Sequence, residues 1–141
     1  MENREKQITY QGAVYPWHCD HMGHMNVMWY VGKFDEATWQ LFARLGLTLA
    51  YMRDRQRGMA AVEQHLEYKR ELMAGATVTV YSTVIEIREK VLRFSHVMTD
   101  SVSGEIAATT ELTAVHMDAV ARKATAFPTE IRARVLAMMS G

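Results

Sequence analysis

The sequence predicts an α+β fold in which one antiparallel sheet wraps around a long central helix. One long proline-free segment is apolar around most of its helical circumference, and several short runs have the composition of strands. Only short turn-like segments separate these runs. A sheet curled around the helix would bury the apolar faces that each element would otherwise expose.

The chain of 141 residues has the length of one domain, and no linker, repeat or low-complexity tract divides residues 1–141. Its sixteen basic and sixteen acidic side chains cancel, so we expect neither a nucleic-acid partner nor attraction to an anionic membrane. Cys19 is the only cysteine, which excludes an intramolecular disulfide. With no visible signal peptide and no run apolar enough for a membrane helix, we expect a cytoplasmic protein.

The first elements are a strand over residues 7–15, which Pro16 ends, and a helix over residues 27–45, which Gly46 caps. On a helical wheel most of this helix is apolar, which predicts that its surroundings bury it. Asp35 falls opposite the polar stripe, so we expect it to face the interior. The polar stripe consists of Lys33, Glu36, Gln40 and Arg44.

A shorter helix is predicted over residues 48–56, followed by four strands and, after Pro128, a terminal amphipathic helix. The connections between the strands are short, which favours antiparallel neighbours. The four strands are predicted over residues 59–69, 77–88, 91–99 and 105–117.

Two motifs resemble a known family. D-H-M-G-H-M-N at residues 20–26, followed by Tyr30, is similar to the D-x-x-G-H-x-N-x-x-x-Y signature of hotdog-fold acyl-CoA thioesterases related to 4-hydroxybenzoyl-CoA thioesterase. Y-K-R-E-L-M-A-G-A-T-V-T-V at residues 68–80 resembles the strand, turn and strand of that family. The resemblance implies hydrolysis of an acyl-CoA without a cofactor. It also implies a homodimer or dimer of dimers whose sheets join edge to edge, with active sites at the interface.

Asp20 is the candidate catalytic residue. Thioester hydrolysis needs an activated oxygen nucleophile and donors that polarise the carbonyl. Asp20 precedes the long helix, whose first amides, near Asn26 and Val27, are unpaired donors at the positive end of the dipole. Asp20 could attack the carbonyl or act as a general base on water, and the sequence leaves both open; an alternative role is to cap the helix.

The other motif residues have two interpretations each. Gly23 could allow close approach of substrate or simply form a turn. His24 and Asn26 could brace the loop or contact the acyl group, and Tyr30 could line the acyl pocket or belong to the core. Asp35 could hold the motif from behind or act as a second acid.

A basic hairpin is the candidate site for the CoA phosphates, because a neutral protein needs local cations to hold them. Arg88, Lys90 and Arg93 lie in and beyond this turn, although Glu89 interrupts the positive run. The alternative is a solvated hairpin tip. Glu63, on the second predicted strand, is a weaker candidate than Asp35 for a further acid in the active site, which a partner subunit could bring near; the alternative is a solvated side chain.

Several histidines and one cysteine crowd around Asp20, which raises the question of a metal. The cluster lacks the H-E-x-x-H pattern and the paired cysteines of recognised sites, so we expect no metal. His96 and His116 lie on strands with apolar neighbours, and we expect structural roles for them. The residues around Asp20 are His18, Cys19, His21 and His24.

Two rival functions share the predicted fold. A hydratase or dehydratase acting on an acyl thioester would add or remove water across a carbon-carbon bond, but the acid-histidine spacings of such enzymes are not found. A non-catalytic acyl-CoA-binding protein is the second rival, because a fold does not fix a function.

Overall fold

The computed structural model describes residues 7–141, so the first six residues of the expected domain lie outside the described part. The chain forms a sheet, three helices and one 3-10 turn at Pro16–His18. The strands are β1 (Gln7–Ala13), β2 (Arg57–Tyr68), β3 (Thr77–Ile87), β4 (Val91–Asp100), β5 (Ile106–Asp118) and β6 (Lys123–Ala124), and the helices are α1 (Val27–Arg44), α2 (Leu49–Arg55) and α3 (Thr129–Ser140).

The sheet has the order β1-β3-β4-β5-β2, with β6 beside β5, and all its pairs are antiparallel. The α+β prediction is confirmed. Consecutive strands are neighbours for β3–β4 and β4–β5, as expected, but not for β2–β3. The connection at residues 69–76 crosses the sheet instead, so β2 pairs with β5 and lies at the edge.

One side of α1 packs on the sheet and forms the core. Phe34 and Leu41 are fully buried against side chains of β3, β4 and β5, and α3 closes the end of the core with Ile131 and Val135. The C-cap residue is Leu45 and not the predicted Gly46, which follows it with a φ of +90°, the conformation in which a glycine commonly ends a helix. No helix within residues 7–141 is long and apolar enough to cross a membrane.

The expectation that α1 is buried all round is wrong. An apolar stripe of the helix stays open to solvent: Val27 is 55% exposed and Trp39 is 49% exposed. Asp35 lies in this open stripe and is exposed, so its predicted interior position is also wrong. The physical reason is that the wheel has apolar residues on two sides, and the sheet covers only one of them.

Lys33 belongs to the polar stripe of the helical wheel, yet it is only 3% exposed. Its ammonium donates hydrogen bonds to the Tyr10 hydroxyl at 2.9 Å and to the Ala13 carbonyl at 3.2 Å, and it lies 5.2 Å from the centre of the Tyr10 ring. The β1 strand therefore covers this side of the helix, and it supplies the polar partners that a buried lysine needs.

A chain of buried polar side chains crosses the middle of the fold. The Thr38 hydroxyl donates to the Phe34 carbonyl at 3.0 Å, so it accepts the proton of His96 Nε2 at 2.8 Å. The other ring nitrogen, Nδ1, therefore accepts from Ser82 at 2.6 Å, and Ser82 accepts from Thr9 at 2.6 Å. Burial lowers the pKa of His96 to about 3, so the ring is neutral. This agrees with the structural role expected of His96.

Candidate functional site

The loop before α1 is a tight turn closed by a bridge between Cys19 and Met25. Within it, the Asp20 amide donates to the His24 carbonyl at 3.2 Å, and the Gly23 amide donates to the Asp20 carbonyl at 3.0 Å. Gly23 has a φ of +90°, a conformation that side chains rarely adopt. This geometry accounts for the glycine of the motif.

Both oxygens of the Asp20 carboxylate accept hydrogen bonds. Oδ1 accepts from the Met22 amide at 2.8 Å, and Oδ2 accepts from Asn26 Nδ2 at 2.8 Å. These bonds, that from Asn26 foremost, lower the pKa of Asp20 below its usual value. The side chain is partly open to solvent. Asp20 is thus an oriented and ionised carboxylate that a substrate can reach.

Asn26 joins this carboxylate to the start of α1. It is the N-cap residue, and its Oδ1 accepts from the Met28 amide at 2.9 Å. The amide of Val27, the first residue of the helix, has no hydrogen-bond partner among the described residues. An ionised carboxylate and an open amide at the positive end of a helix dipole therefore lie close in the chain. This pair can attack a carbonyl and stabilise the resulting oxyanion.

A cavity of about 220 Å³ adjoins the helix start. Tyr30 borders it, donates its hydroxyl proton to the Arg70 carbonyl at 2.8 Å and meets the Tyr68 ring edge to face. His24 Nε2 lies 3.2 Å from Glu71 Oε2. We name this space the Tyr30 cavity. Besides these residues, it is lined by Met25, Val27 and Lys69.

Residues 68–71 border the Tyr30 cavity, although the sequence does not predict that they lie near the Asp20 loop. They belong to the second motif of the family, which is the signal that points to them, but the motif by itself predicts only a strand and a turn. Their approach to α1 depends on the crossover connection, which local sequence does not reveal. The Met25 amide donates to the Leu72 carbonyl at 2.7 Å, and this bond fixes the connection against the Asp20 loop.

A second cavity, of about 190 Å³, lies further along α1, between this helix and β2. Its walls include four aromatic rings, and Asp35 is the only charged residue among those that line it. We name it the aromatic pocket. Its lining residues from α1 are Val31, Phe34, Asp35, Thr38, Trp39 and Phe42; Phe94 and side chains of β2 and β5 complete it.

The basic hairpin lies at the other end of the sheet. β3 starts opposite Ala13, close to the Asp20 loop, and ends at Ile87, a length of about 33 Å at about 3.3 Å per residue. Arg88 is paired with Glu86, and Arg93 contacts both Glu86 and Glu111. Within one chain this hairpin therefore does not reach Asp20.

The side chains around Asp20 diverge. His18 Nδ1 accepts from the Tyr15 amide at 3.0 Å, the Cys19 thiol contacts the Tyr15 carbonyl, and His21 is exposed. Across residues 7–141, no three His, Cys, Asp or Glu side chains are grouped so that they could hold a metal. His116 is buried, bonded to Tyr51 and to the Thr125 carbonyl, and so is structural.

The chain is similar to known proteins in both sequence and fold. The sequence model of the thioesterase-like superfamily matches residues 14–135. The chain is 33% identical over 111 residues to an L-carnitine dehydrogenase/betainyl-CoA thioesterase of Agrobacterium fabrum, covering 77% of this chain but 22% of that protein. It is 28% identical over 130 residues to a betainyl-CoA thioesterase of Pseudomonas aeruginosa, covering 92% of this chain and 82% of that one.

The chain thus spans about a fifth of the length of the Agrobacterium relative and most of the Pseudomonas one. Among solved structures, a Staphylococcus aureus protein determined in complex with CoA superposes with a TM-score of 0.88 at 23% identity. That superposition covers 95% of this chain and 85% of the other. At this identity the likeness shows a shared fold.

Proposed function

Because this hotdog-fold chain belongs to the thioesterase-like superfamily, we propose that it hydrolyses an acyl-CoA thioester to a free acid and CoA. The observation that carries the proposal is the Asp20 carboxylate, held ionised by Met22 and Asn26 just before the open amide of Val27. The names of the curated relatives, which are thioesterases of CoA esters, support the same reaction class.

In the proposed reaction the thioester carbonyl oxygen accepts a hydrogen bond from the Val27 amide. As a nucleophile, Asp20 forms a bond to the carbonyl carbon, the carbon-sulfur bond breaks, and CoA leaves as a thiolate that takes a proton from water. Water then cleaves the mixed anhydride and restores the carboxylate. As a general base, Asp20 takes a proton from the water that attacks the carbon; the carbon-sulfur bond then breaks, and Asp20 returns this proton to the departing CoA thiolate. A lowered pKa weakens a base while keeping the nucleophile ionised, which favours the first route. Neither route uses a cofactor.

We further propose betainyl-CoA as the first acyl-CoA to assay, because both curated relatives carry it in their names. Lys69 and Arg70 border the Tyr30 cavity, and they are the proposed contacts of this chain for the anionic part of CoA. Arg88, Lys90 and Arg93 enter the proposal only as contacts from a partner subunit, since their own Asp20 loop is too distant.

The proposed assembly is a homodimer, or a dimer of dimers, joined along β2. This edge strand is twelve residues long and mostly exposed, with Val62 at 61% exposure and Glu63 beside it. Residues of the open stripe of α1 line the aromatic pocket together with residues of β2. A long unpaired strand edge with apolar surface beside it is usually covered in native proteins. A cytoplasmic location is the simplest proposal, because the single cysteine forms no internal disulfide.

The proposal is tested by following thiol release from a panel of aliphatic, aromatic and betainyl acyl-CoAs. Asp20→Asn should lower kcat by about 10²-fold or more while the unfolding midpoint stays within error. Asp118→Asn is the matched control, because Asp118 also accepts backbone hydrogen bonds in a turn but lies beside Arg57 at the far end of β2.

Hydration of an enoyl-CoA without thiol release would favour a hydratase, and saturable binding with neither reaction would favour a binding protein. Full activity of Asp20→Asn would exclude the proposed role of Asp20.

A further inference from the structure

The aromatic pocket has an unusual combination of walls. The Trp39 and Phe42 rings meet edge to face with centres 5.6 Å apart, and Phe42 meets Phe94 in the same way at 5.4 Å. Asp35 is exposed at this pocket and has no hydrogen-bond or ion-pair partner anywhere in the described chain. A pocket for a plain hydrocarbon gains nothing from an unpaired carboxylate at its wall, because the carboxylate must give up water when the pocket fills.

The charge of the pocket favours a cation. Asp35 is negative, no lysine or arginine lines the cavity, and the faces of aromatic rings attract positive charge. An anionic acyl group would meet the carboxylate at close range and be repelled. The residues that line the pocket therefore favour the binding of a positively charged group.

The hydrogen-bonding groups of the pocket further restrict the kind of cation. The Thr38 hydroxyl already donates to Phe34 and accepts from His96, and the Gln64 amide donates to Thr110 at 3.1 Å. A primary ammonium brings three N–H donors, and besides the Asp35 carboxylate and the Gln64 side-chain oxygen the lining offers them no uncommitted side-chain acceptor. A quaternary ammonium brings none, and its methyl groups pack on the rings while the charge faces Asp35.

We propose that the aromatic pocket binds a quaternary ammonium group at the end of the acyl chain, with the cation between the rings and Asp35. This inference rests on the proposed thioesterase reaction, which sets the carbonyl at the Val27 amide. Val31, Asp35 and Trp39 follow Val27 at four-residue intervals on the open stripe of α1, so the acyl chain runs along one helix face.

The helix also sets the length of the acyl spacer. Asp35 lies eight residues beyond Val27, which is about 12 Å along the axis at about 1.5 Å per residue. In a betainyl group two single bonds of about 1.5 Å join the carbonyl carbon to the nitrogen, and with a spacer of three methylene groups four such bonds do. The longer spacer therefore carries the cation nearer to Asp35, and this acyl group should depend more strongly on the carboxylate.

The experiment compares cationic acyl-CoAs with neutral analogues of the same shape. Betainyl-CoA is paired with 3,3-dimethylbutanoyl-CoA, and 4-(trimethylammonio)butanoyl-CoA is paired with 5,5-dimethylhexanoyl-CoA; within each pair a quaternary carbon replaces the nitrogen. The wild type should prefer the longer cation over its neutral analogue by about tenfold or more in kcat/KM. Asp35→Asn should reduce this ratio to near one.

Glu36→Gln is the matched control, because Glu36 is the next residue of α1, is exposed and lines a different surface beside β1. It removes the same charge from the same helix and should keep the cationic preference. Equal or better hydrolysis of the neutral analogues by the wild type would overturn the inference and leave the thioesterase proposal intact.

Calorimetry with the free acids separates the two proposals. Binding of 4-(trimethylammonio)butanoate that is lost in Asp35→Asn would support the inference even if no acyl-CoA were hydrolysed, and in that case the proposed function would fail alone. Equal affinity for the cationic acid and 5,5-dimethylhexanoate would count against the pocket assignment whatever the activity.

Discussion

Asn26 holds Asp20 from the first turn of the helix it caps: its Nδ2 donates to Asp20 Oδ2 at 2.8 Å while its Oδ1 accepts from the Met28 amide at 2.9 Å. The orientation of the carboxylate is therefore tied to the helix start, and a rotation of the Asn26 side chain would disturb both. Asn26 is a positioning residue in the proposed reaction, and its two hydrogen bonds can be separated by substitution.

Asn26→Ser should keep the cap and remove the bond to Asp20. Serine caps helices about as well as asparagine, so the free energy of unfolding should change by no more than about 0.5 kcal/mol. Without the Asn26 donor the pKa of Asp20 rises, because that bond is the largest cause of its lowering. The acid limb of the kcat/KM profile against pH should move to higher pH, and kcat should fall about tenfold. An unchanged profile with a lowered kcat would contradict the positioning role.

His96 should make the stability of the fold depend on pH. Its folded pKa is about 3 against an ordinary value of 6.5, so between these values the unfolded chain binds a proton that the folded chain does not. This contribution to stability is complete above pH 6.5 and is lost as the pH falls, by about 2 kcal/mol at pH 5. The measurement is urea unfolding at pH 7, 6 and 5.

His96→Leu is the informative comparison for that experiment. Thr38 keeps its bond to Phe34 and Ser82 keeps its bond to Thr9, so the substitution leaves neither hydroxyl without a partner. Its unfolding free energy should fall less steeply with decreasing pH than that of the wild type. Parallel curves for the two proteins would show that His96 does not cause the acid sensitivity.

Val62→Lys should weaken the proposed dimer. Val62 is 61% exposed on the edge strand β2, and a lysine on an edge disfavours pairing with another strand. Sedimentation should show a larger dissociation constant for this variant than for wild type. Val102→Lys is the control, because Val102 is 90% exposed in the β4–β5 turn, away from this edge. A wild-type protein that is monomeric and fully active would refute the assembly.

Two glycines with a φ of +90° should differ in their tolerance of a side chain. At Gly46 an added Cβ would lie 2.8 Å from Ile131 Cδ1, whereas at Gly23 nothing lies within 4 Å. Both Gly→Ala changes carry backbone strain of about 1 kcal/mol or more, and Gly46→Ala must also displace Ile131. Urea unfolding should rank Gly46→Ala as the less stable variant; the reverse order would argue against the packing of α3 on the helix end.

Local patterns predicted most of the elements. The long helix was expected at residues 27–45 and is found at Val27–Arg44, and the strand expected at residues 77–88 ends at Ile87. The position of Asp20 and Asn26 before that helix also followed from the motif. These features depend on residues close in sequence, where turn signals and periodicity act directly.

The wrong predictions are those about which surfaces of the helices and strands pack against each other. A wheel places Lys33 and Asp35 on opposite sides of α1, but only the assembled sheet decides which side is covered, and β1 covers the lysine. The place of Tyr68 and Arg70 in the site likewise depends on the pairing of β2 with β5 and on the crossover that follows. Neither relationship is encoded in the spacing of neighbouring residues.

The buried chain from Thr9 through Ser82 and His96 to Thr38 draws one member from each of β1, β3, β4 and α1. Detaching α1 from the sheet would leave a desolvated imidazole without its acceptor, and detaching β1 would leave Ser82 without its donor. The four elements therefore come apart together rather than one at a time. Amide hydrogen exchange in their central residues should occur through a single global opening, with one protection free energy shared by the helix and the three strands.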